Sequence, residues 1–309
     1  MKDKRLRSGP AAAWDARDDS GVRGPSPGPP ARSKRWALAR RRPGLWIGGF
    51  MVAAVCTAAL GAWLSGLDPT RVDLSQSLRG PSLGHPFGTD QFGRDVLVRV
   101  MAGAAISLKV GVLSRFIAVG LGVLVGAIAG YYGGLRDRIV IISADVVMAY
   151  PALLLLIAVT AAFPPSLTVV FLALGFVGWP GVARLVRSLV LGLREREFVA
   201  AARAVGARDG RILLRHILPN CLGPIIVAFT VGMGSAVMAE ASLSFLGLGA
   251  QPPEPSWGAM VSHGKDYLRS APWLTIFPGA AIAFTVVGFN VLGDAIRDIF
   301  DPRSGGRER

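Results

Sequence analysis

An all-α membrane protein with six transmembrane helices is the fold class that this sequence predicts, and three observations carry it. Of the 309 residues, 51% are hydrophobic and 17% charged, and the mean hydropathy is +0.46, too apolar for an ordinary soluble chain. Apolar runs recur at 44–64, 117–131, 139–163, 167–191, 224–248 and 273–292, most of them near or above the roughly 20 residues that cross a ~30 Å hydrocarbon layer. The second run reaches that length by starting near Ile106 and tolerating Lys109 and Arg115 near its end. Finally, about 26 of the Lys and Arg residues fall before Gly44, in the turn at 136–138, in the loop at 184–215 and at the C-terminus, against about six in the alternate loops. The positive-inside rule therefore places these segments, and both termini, in the cytoplasm.

The net charge of +14 is read as a topology determinant and not as a nucleic-acid footprint. A nucleic-acid surface needs a folded basic face with interleaved aromatics, whereas residues 1–43 offer Pro, Gly and Arg without periodicity. This tail is expected to be a disordered, basic cytoplasmic leader. About 43 residues precede the first apolar run, so the run at 44–66 is expected to be a spanning signal anchor and not a cleaved signal. Trp46 and Trp63 bracket it about 26 Å apart along a helix, a spacing that suits the two interfacial belts.

Residues 67–105 read as a periplasmic loop. It is rich in turn residues up to Gly88, and beyond it Val96, Leu97, Val100, Met101, Ala104 and Leu108 recur at helical spacing opposite Asp95 and Arg99. That pattern predicts an amphipathic helix on the outer surface, running into the second span. The five-helix core is expected at 106–303. Its first helix carries Gly122, Gly126 and Gly130 in consecutive GxxxG spacing, so that face packs against another helix, of this chain or of a partner. Asp145 falls within the third apolar run and Glu240 within the fifth, with Asn290 and Asp294 near the end of the sixth. A carboxylate at such depth costs about 2.5–3.5 kcal/mol on insertion scales, so these groups face protein or water, as interhelical hydrogen-bonding groups or as lining of a path.

Between the fourth and fifth spans lies a polar, Arg-rich insert at 194–220. Its Ala-rich stretch from Glu197 to Val205 has high helix propensity, stops at Gly206 and restarts after Asp209, which predicts two short helices at a sharp turn. Residues 304–309 are a short cytoplasmic tail.

Catalytic signatures do not assemble in the sequence. The nearest approach to a phosphate-binding GxxxxGK[ST], Gly258 to Lys265, has one residue too many and Asp266 where a hydroxyl is required. His85, His216 and His263 stand in separate loops without metal-ligand spacing, Cys56 and Cys221 stand on different spans, and no serine sits in a GxSxG elbow. The sequence predicts no enzyme, no metal and no cofactor bound by this chain.

The insert resembles the EAA loop of bacterial ABC importer permeases. Ala201 and Ala202 match the two alanines, Gly206 the glycine, and Ile217 and Pro219 two closing residues, while the acidic position is Ala200. Further segments resemble the C-type permease subunit of dipeptide, oligopeptide and nickel importers: His85-Pro86-Phe87-Gly88-Thr89-Asp90 with Gly93-Arg94-Asp95, Gly130-Tyr131-Tyr132-Gly133-Gly134, Gly178-Trp179-Pro180-Gly181, the run from Ala239 to Gly249, Pro255-Ser256-Trp257-Gly258, Asn290-Val291-Leu292-Gly293-Asp294 and Asp301-Pro302-Arg303. Together they cover about residues 85 to 303.

The resemblance implies a type I importer permease fold with a cytoplasmic coupling helix in the bacterial inner membrane. It implies as partners a homologous second permease, two cytoplasmic ATPases carrying the ATP and Mg, and an extracytoplasmic substrate-binding protein, all at a lipid membrane and without nucleic acid. ATPase coupling would rest on Glu197, Ala201, Ala202, Arg203, Gly206, Ile217 and Pro219, with Asp145, Glu240 and Asn290 as pathway or interhelical polar groups. Arg184, Arg187, Arg194 and Arg196 are open to pairing with acidic ATPase residues or to a plain positive-inside role. Di- and oligopeptides are the expected cargo, with nickel or another small solute as the alternative. A stand-alone secondary transporter or channel is the competing class, and the missing inverted repeat argues against it.

Overall fold

The computed structural model describes residues 43–300. Helix α1 (Pro43–Leu64) crosses first. An outer loop, with one 3-10 turn at Leu74–Gln76, leads to α2 (Val96–Tyr132). Two shorter helices follow, α3 (Gly134–Met148) and α4 (Ala152–Ala161), then α5 (Leu167–Arg194). The polar insert forms α6 (Glu197–Ala204), α7 (Asp209–Ile212) and a π turn at Leu213–Ile217, continuous with α8 (Leu218–Phe245). A short outer helix, α9 (Trp257–Gly264), precedes α10 (Trp273–Phe300). No strand occurs among the described residues beyond an isolated bridge between Thr89 and Asp95.

Five of these helical runs are long and apolar enough to cross a membrane, and the bent pair α3–α4 makes up to six. This corrects the continuous third span expected at 139–163. The chain breaks at Ala149-Tyr150-Pro151 and turns by 86°. Pro151 supplies the reason: its ring disfavours helical backbone at Tyr150 and its missing N–H fits the start of a new helix.

Helix α2 is one 37-residue helix capped by Asp95, whose carboxylate accepts from the Val98 amide at 3.1 Å; the expected entry helix thus runs into the second span, across 105–106, but its surface character is corrected. Its first part is no surface amphipathic helix. Arg99, expected on a wet face, is buried: Nη1 donates to the Pro69 carbonyl at 2.9 Å, and Nε lies 3.7 Å from Asp90. The outer loop folds over it. Buried Thr89 accepts from the Arg79 amide at 2.9 Å, its carbonyl accepts from Trp273 Nε1 at 3.1 Å, and Phe87 stacks on Phe277 at 3.9 Å.

Glycines set the closest helix pair. Between α2 and α5, a Cβ on Gly122 would stand 2.6 Å from Val182 Cβ, one on Gly126 would fall on the Ala183 carbonyl, and one on Gly130 would stand 2.8 Å from the Arg187 carbonyl. The GxxxG face is thus used within the chain, where small residues allow backbone approach that lipid does not otherwise drive. Helix α1 uses the same device against α10, where a Cβ on Gly48 would stand 2.5 Å from the Leu292 amide nitrogen.

Candidate functional site: the cytoplasmic coupling segment and the polar groups within the bundle

The insert is built from the turn outward. Gly206 has φ +79°, its amide donates to the Arg203 carbonyl at 2.9 Å and the Ala207 amide donates to the Ala202 carbonyl at 3.0 Å. That pair of bonds is a Schellman stop, which demands the left-handed backbone that glycine adopts without a Cβ penalty. Ala202 and Ala207 close it with an apolar contact in one cluster.

This cluster bolts the segment to the bundle. Val199 and Ala202 of α6, Ile212 of α7, and Leu213 and Ile217 of the π turn are buried with Ala127 and Tyr131 of α2, Val182, Val186 and Val190 of α5, and Cys221 and Ile225 of α8. Two polar ties reinforce it. The Tyr131 hydroxyl donates to Asp209 Oδ1 at 2.7 Å, and Arg194 Nη1 donates to the Gly130 carbonyl at 3.1 Å. A displacement of the insert is therefore communicated to three spanning helices through packed side chains.

The seven residues assigned to coupling divide into two sets. Ala202 and Ile217 are buried in the cluster, and Gly206 makes the stop. Glu197, Ala201, Arg203 and Pro219 are exposed, with Arg203 over the Tyr131 ring at 5.8 Å. Ala201 and Ala202, which match the two alanines of the EAA loop, fall on different faces, because adjacent helical positions are 100° apart. The outward stripe is instead Phe198, Ala201 and Val205, with Phe198 40% and Val205 85% exposed. Its spacing of three and four residues is visible in the sequence, whereas the likeness to the EAA loop marks the alanines.

Three of the four arginines considered for an ATPase contact are engaged inside the chain. Arg187 is bidentate to Asp137, Arg184 pairs with Asp145, and Arg194 Nε donates to Glu195 Oε1 at 2.9 Å. The pairs at Asp137 and Asp145 fasten α3 to α5. Asp145 is thus an interhelical polar group, with its side chain 55% exposed beside the bend.

Glu240 is fully buried on α8. It accepts from Ser107 of α2 at 3.1 Å and from Ser244, one turn on, at 2.7 Å. It is an interhelical acceptor, and the serine hydroxyls offset the desolvation of its carboxyl. Asn290 is exposed on α10, its Oδ1 3.2 Å from where a Cβ on Gly234 would stand. Cys56 is exposed on α1 and Cys221 buried on α8, both as free thiols.

Arg115 is the residue most misplaced by the sequence reading. Because α2 starts at Val96, Arg115 sits at the middle of that helix. Its guanidinium lies against α8, donating from Nη2 to the Ala228 carbonyl at 3.2 Å.

The described residues form a multi-pass bundle with a polar helix pair packed on three of its long helices. The chain belongs to the family of binding-protein-dependent transport system inner membrane components, whose model matches residues 122–305. It is a membrane permease subunit of an ABC importer, with the type I permease fold and with ATPase and substrate-binding partners. Among its relatives, the dipeptide transport system permease protein DppC of Alkalihalophilus pseudofirmus is 48% identical over 229 residues, covering 74% of this chain and 75% of the relative. The glutathione transport system permease protein GsiD of Escherichia coli is 43% identical over 258 residues, covering 83% and 85%.

Proposed function

We propose that this permease carries short peptides inward, and that its insert is the contact through which the ATPases drive it. One observation carries the coupling reading: an exposed apolar stripe, Phe198-Ala201-Val205, stands on a helix whose opposite face is buried against α2, α5 and α8. In water such a stripe gains by entering a groove on a soluble partner, and its mounting lets force pass to the spans. Glu197, Arg203 and Pro219 flank it. ATP and Mg are bound and hydrolysed by two ATPase subunits, this chain contributes no catalytic residue, and a homologous second permease completes the path. Both termini and the insert face the cytoplasm, in accord with the positive-inside distribution of Lys and Arg.

The peptide reading is supported by the relatives named for dipeptide and glutathione transport. Its test is uptake of labelled dipeptide, glutathione and nickel by cells lacking this chain and by cells given it back. Loss and recovery of a peptide signal is expected. Recovery confined to nickel would replace the cargo assignment.

A further inference from the structure

Helices α2 and α5 carry five arginines, and four of them meet a carboxylate. Arg99 lies 3.7 Å from Asp90, Arg194 2.9 Å from Glu195, and Arg184 and Arg187 pair with Asp145 and Asp137. Arg115 has no carboxylate within ion-pair distance among the described residues. It is also the one farthest from the ends of its own helix, about 28 Å from the start of α2 and about 26 Å from its end at 1.5 Å per residue.

The surroundings of Arg115 leave room for its head group. A Cβ on Gly232 of α8 would fall on the guanidinium, and one on Gly178 of α5 would stand 3.5 Å from Nη1. Only Nη2 has a partner, the Ala228 carbonyl, while Nε is buried with no acceptor among the described residues. Nη1 is neither bonded within the chain nor enclosed by it. A cation at this depth is costly and demands a counter-charge or water.

Ala228 is also a wall of a groove of about 500 Å³, formed by Leu185 and Leu189 of α5, Pro224, Val227 and Val231 of α8, and Phe300 of α10, with Arg297 as its one charged lining residue. The groove occupies the inner half of the bundle, since Ala228 is about 15 Å above the inner end of α8 at 1.5 Å per residue. Arg115 therefore adjoins its deep end and Arg297 belongs to its inner part. No acid lines it. Its charge complement is an anion on an otherwise apolar body.

We propose that Arg115 is the mid-membrane contact for the terminal carboxylate of the cargo, which then passes inward along the groove toward Arg297. This rests on the peptide reading given above. A free dipeptide fits both features: its carboxylate offers the planar, two-oxygen partner that a guanidinium takes bidentately, and its side chains suit the apolar walls. The carboxylate replaces the missing counter-charge only in transit, so the site does not hold the cargo at rest.

The test uses the complete transporter, with its companion permease, ATPases and binding protein, in proteoliposomes. Initial uptake of a labelled dipeptide is compared with that of its C-terminal amide, for the parent, Arg115→Gln and Arg115→Lys. Because every variant shares one binding protein, a changed acid-to-amide ratio arises in the membrane. Loss of the charge-assisted pairing with the carboxylate is expected to lower free-acid uptake by about tenfold or more in R115Q, with amide uptake within about twofold of the parent and R115K between the two. If the amide enters in no variant, the same fall in free-acid uptake, with cargo-stimulated ATP hydrolysis intact, supports the site. An unchanged ratio, equal loss of both peptides, or parent-like acid uptake in R115Q overturns it. If R115Q sheds the companion permease on purification, the counter-charge belongs to that subunit and the proposal fails. A parent that imports neither peptide but does import another solute defeats the peptide reading itself.

Discussion

Gly206 stands at φ +79° with nothing within 4 Å of where its Cβ would be, so a substitution there acts through the backbone and not through a clash. Gly206→Val should destabilise the stop by about 1 kcal/mol or more and misdirect α7, because a β-branched residue is strongly disfavoured at positive φ. The spans should still insert. Co-purification of the ATPases and peptide uptake, both reduced, are the readouts, and normal values for both would remove the turn from the coupling path. Ala201→Trp addresses the outward stripe separately. It should leave the permease folded, since Ala201 is exposed, yet block docking, giving a complex that reaches the membrane without importing. Glu240 makes a third case. Glu240→Gln keeps polar contact with Ser107 and Ser244 and should retain most uptake, whereas Glu240→Leu leaves both hydroxyls without their acceptor and should lose about 1–3 kcal/mol of stability per unsatisfied group. Equal thermal unfolding of the two variants would show that the serine contacts carry no weight.

At the level of elements, the legible parts of the sequence were those with a strong local cause. Composition and run length marked α1, α5, α8 and α10, and the glycine stop marked α6 and α7. What was misread depended on tertiary contacts. An apolar run across Pro151 looks like a single span by hydropathy, although the proline bends it into α3 and α4. Arg99 looked wet because nothing in the pattern says that the outer loop folds back to cover it. Arg115 looked terminal because the helix continues outward through residues assigned to the loop. The bent pair is fastened by Asp137 and Asp145 to arginines of α5. Asp137→Arg should therefore loosen α3, lowering stability and uptake through like-charge contact with Arg187, while the double exchange with Arg187→Asp should restore at least part of both. Uptake by the double variant no better than by Asp137→Arg alone would argue that the pair is incidental.

For the molecule as a whole, the charge distribution and the span count make a joint statement about sidedness. Reporter fusions at Asp209, in the insert, and Asp266, in the outer turn after α9, should report opposite faces of the membrane; the same face for both would end the arrangement of α8 as a single crossing. The glycine seam between α2 and α5 has a mechanical meaning for such a transporter. At Gly126 and Gly130 the positions a methyl group would take are already filled by backbone of α5, so the two helices have no slack to slide or roll against each other. They act as one beam. On the coupling role proposed above, an insert packed on one end of that beam has little means of widening a gap within it, and its stroke would emerge as a swing of the beam as a whole. Adding Cβ atoms along the glycine row would thus stiffen nothing; it would pry the beam apart and disconnect the stroke from the outer half of the membrane.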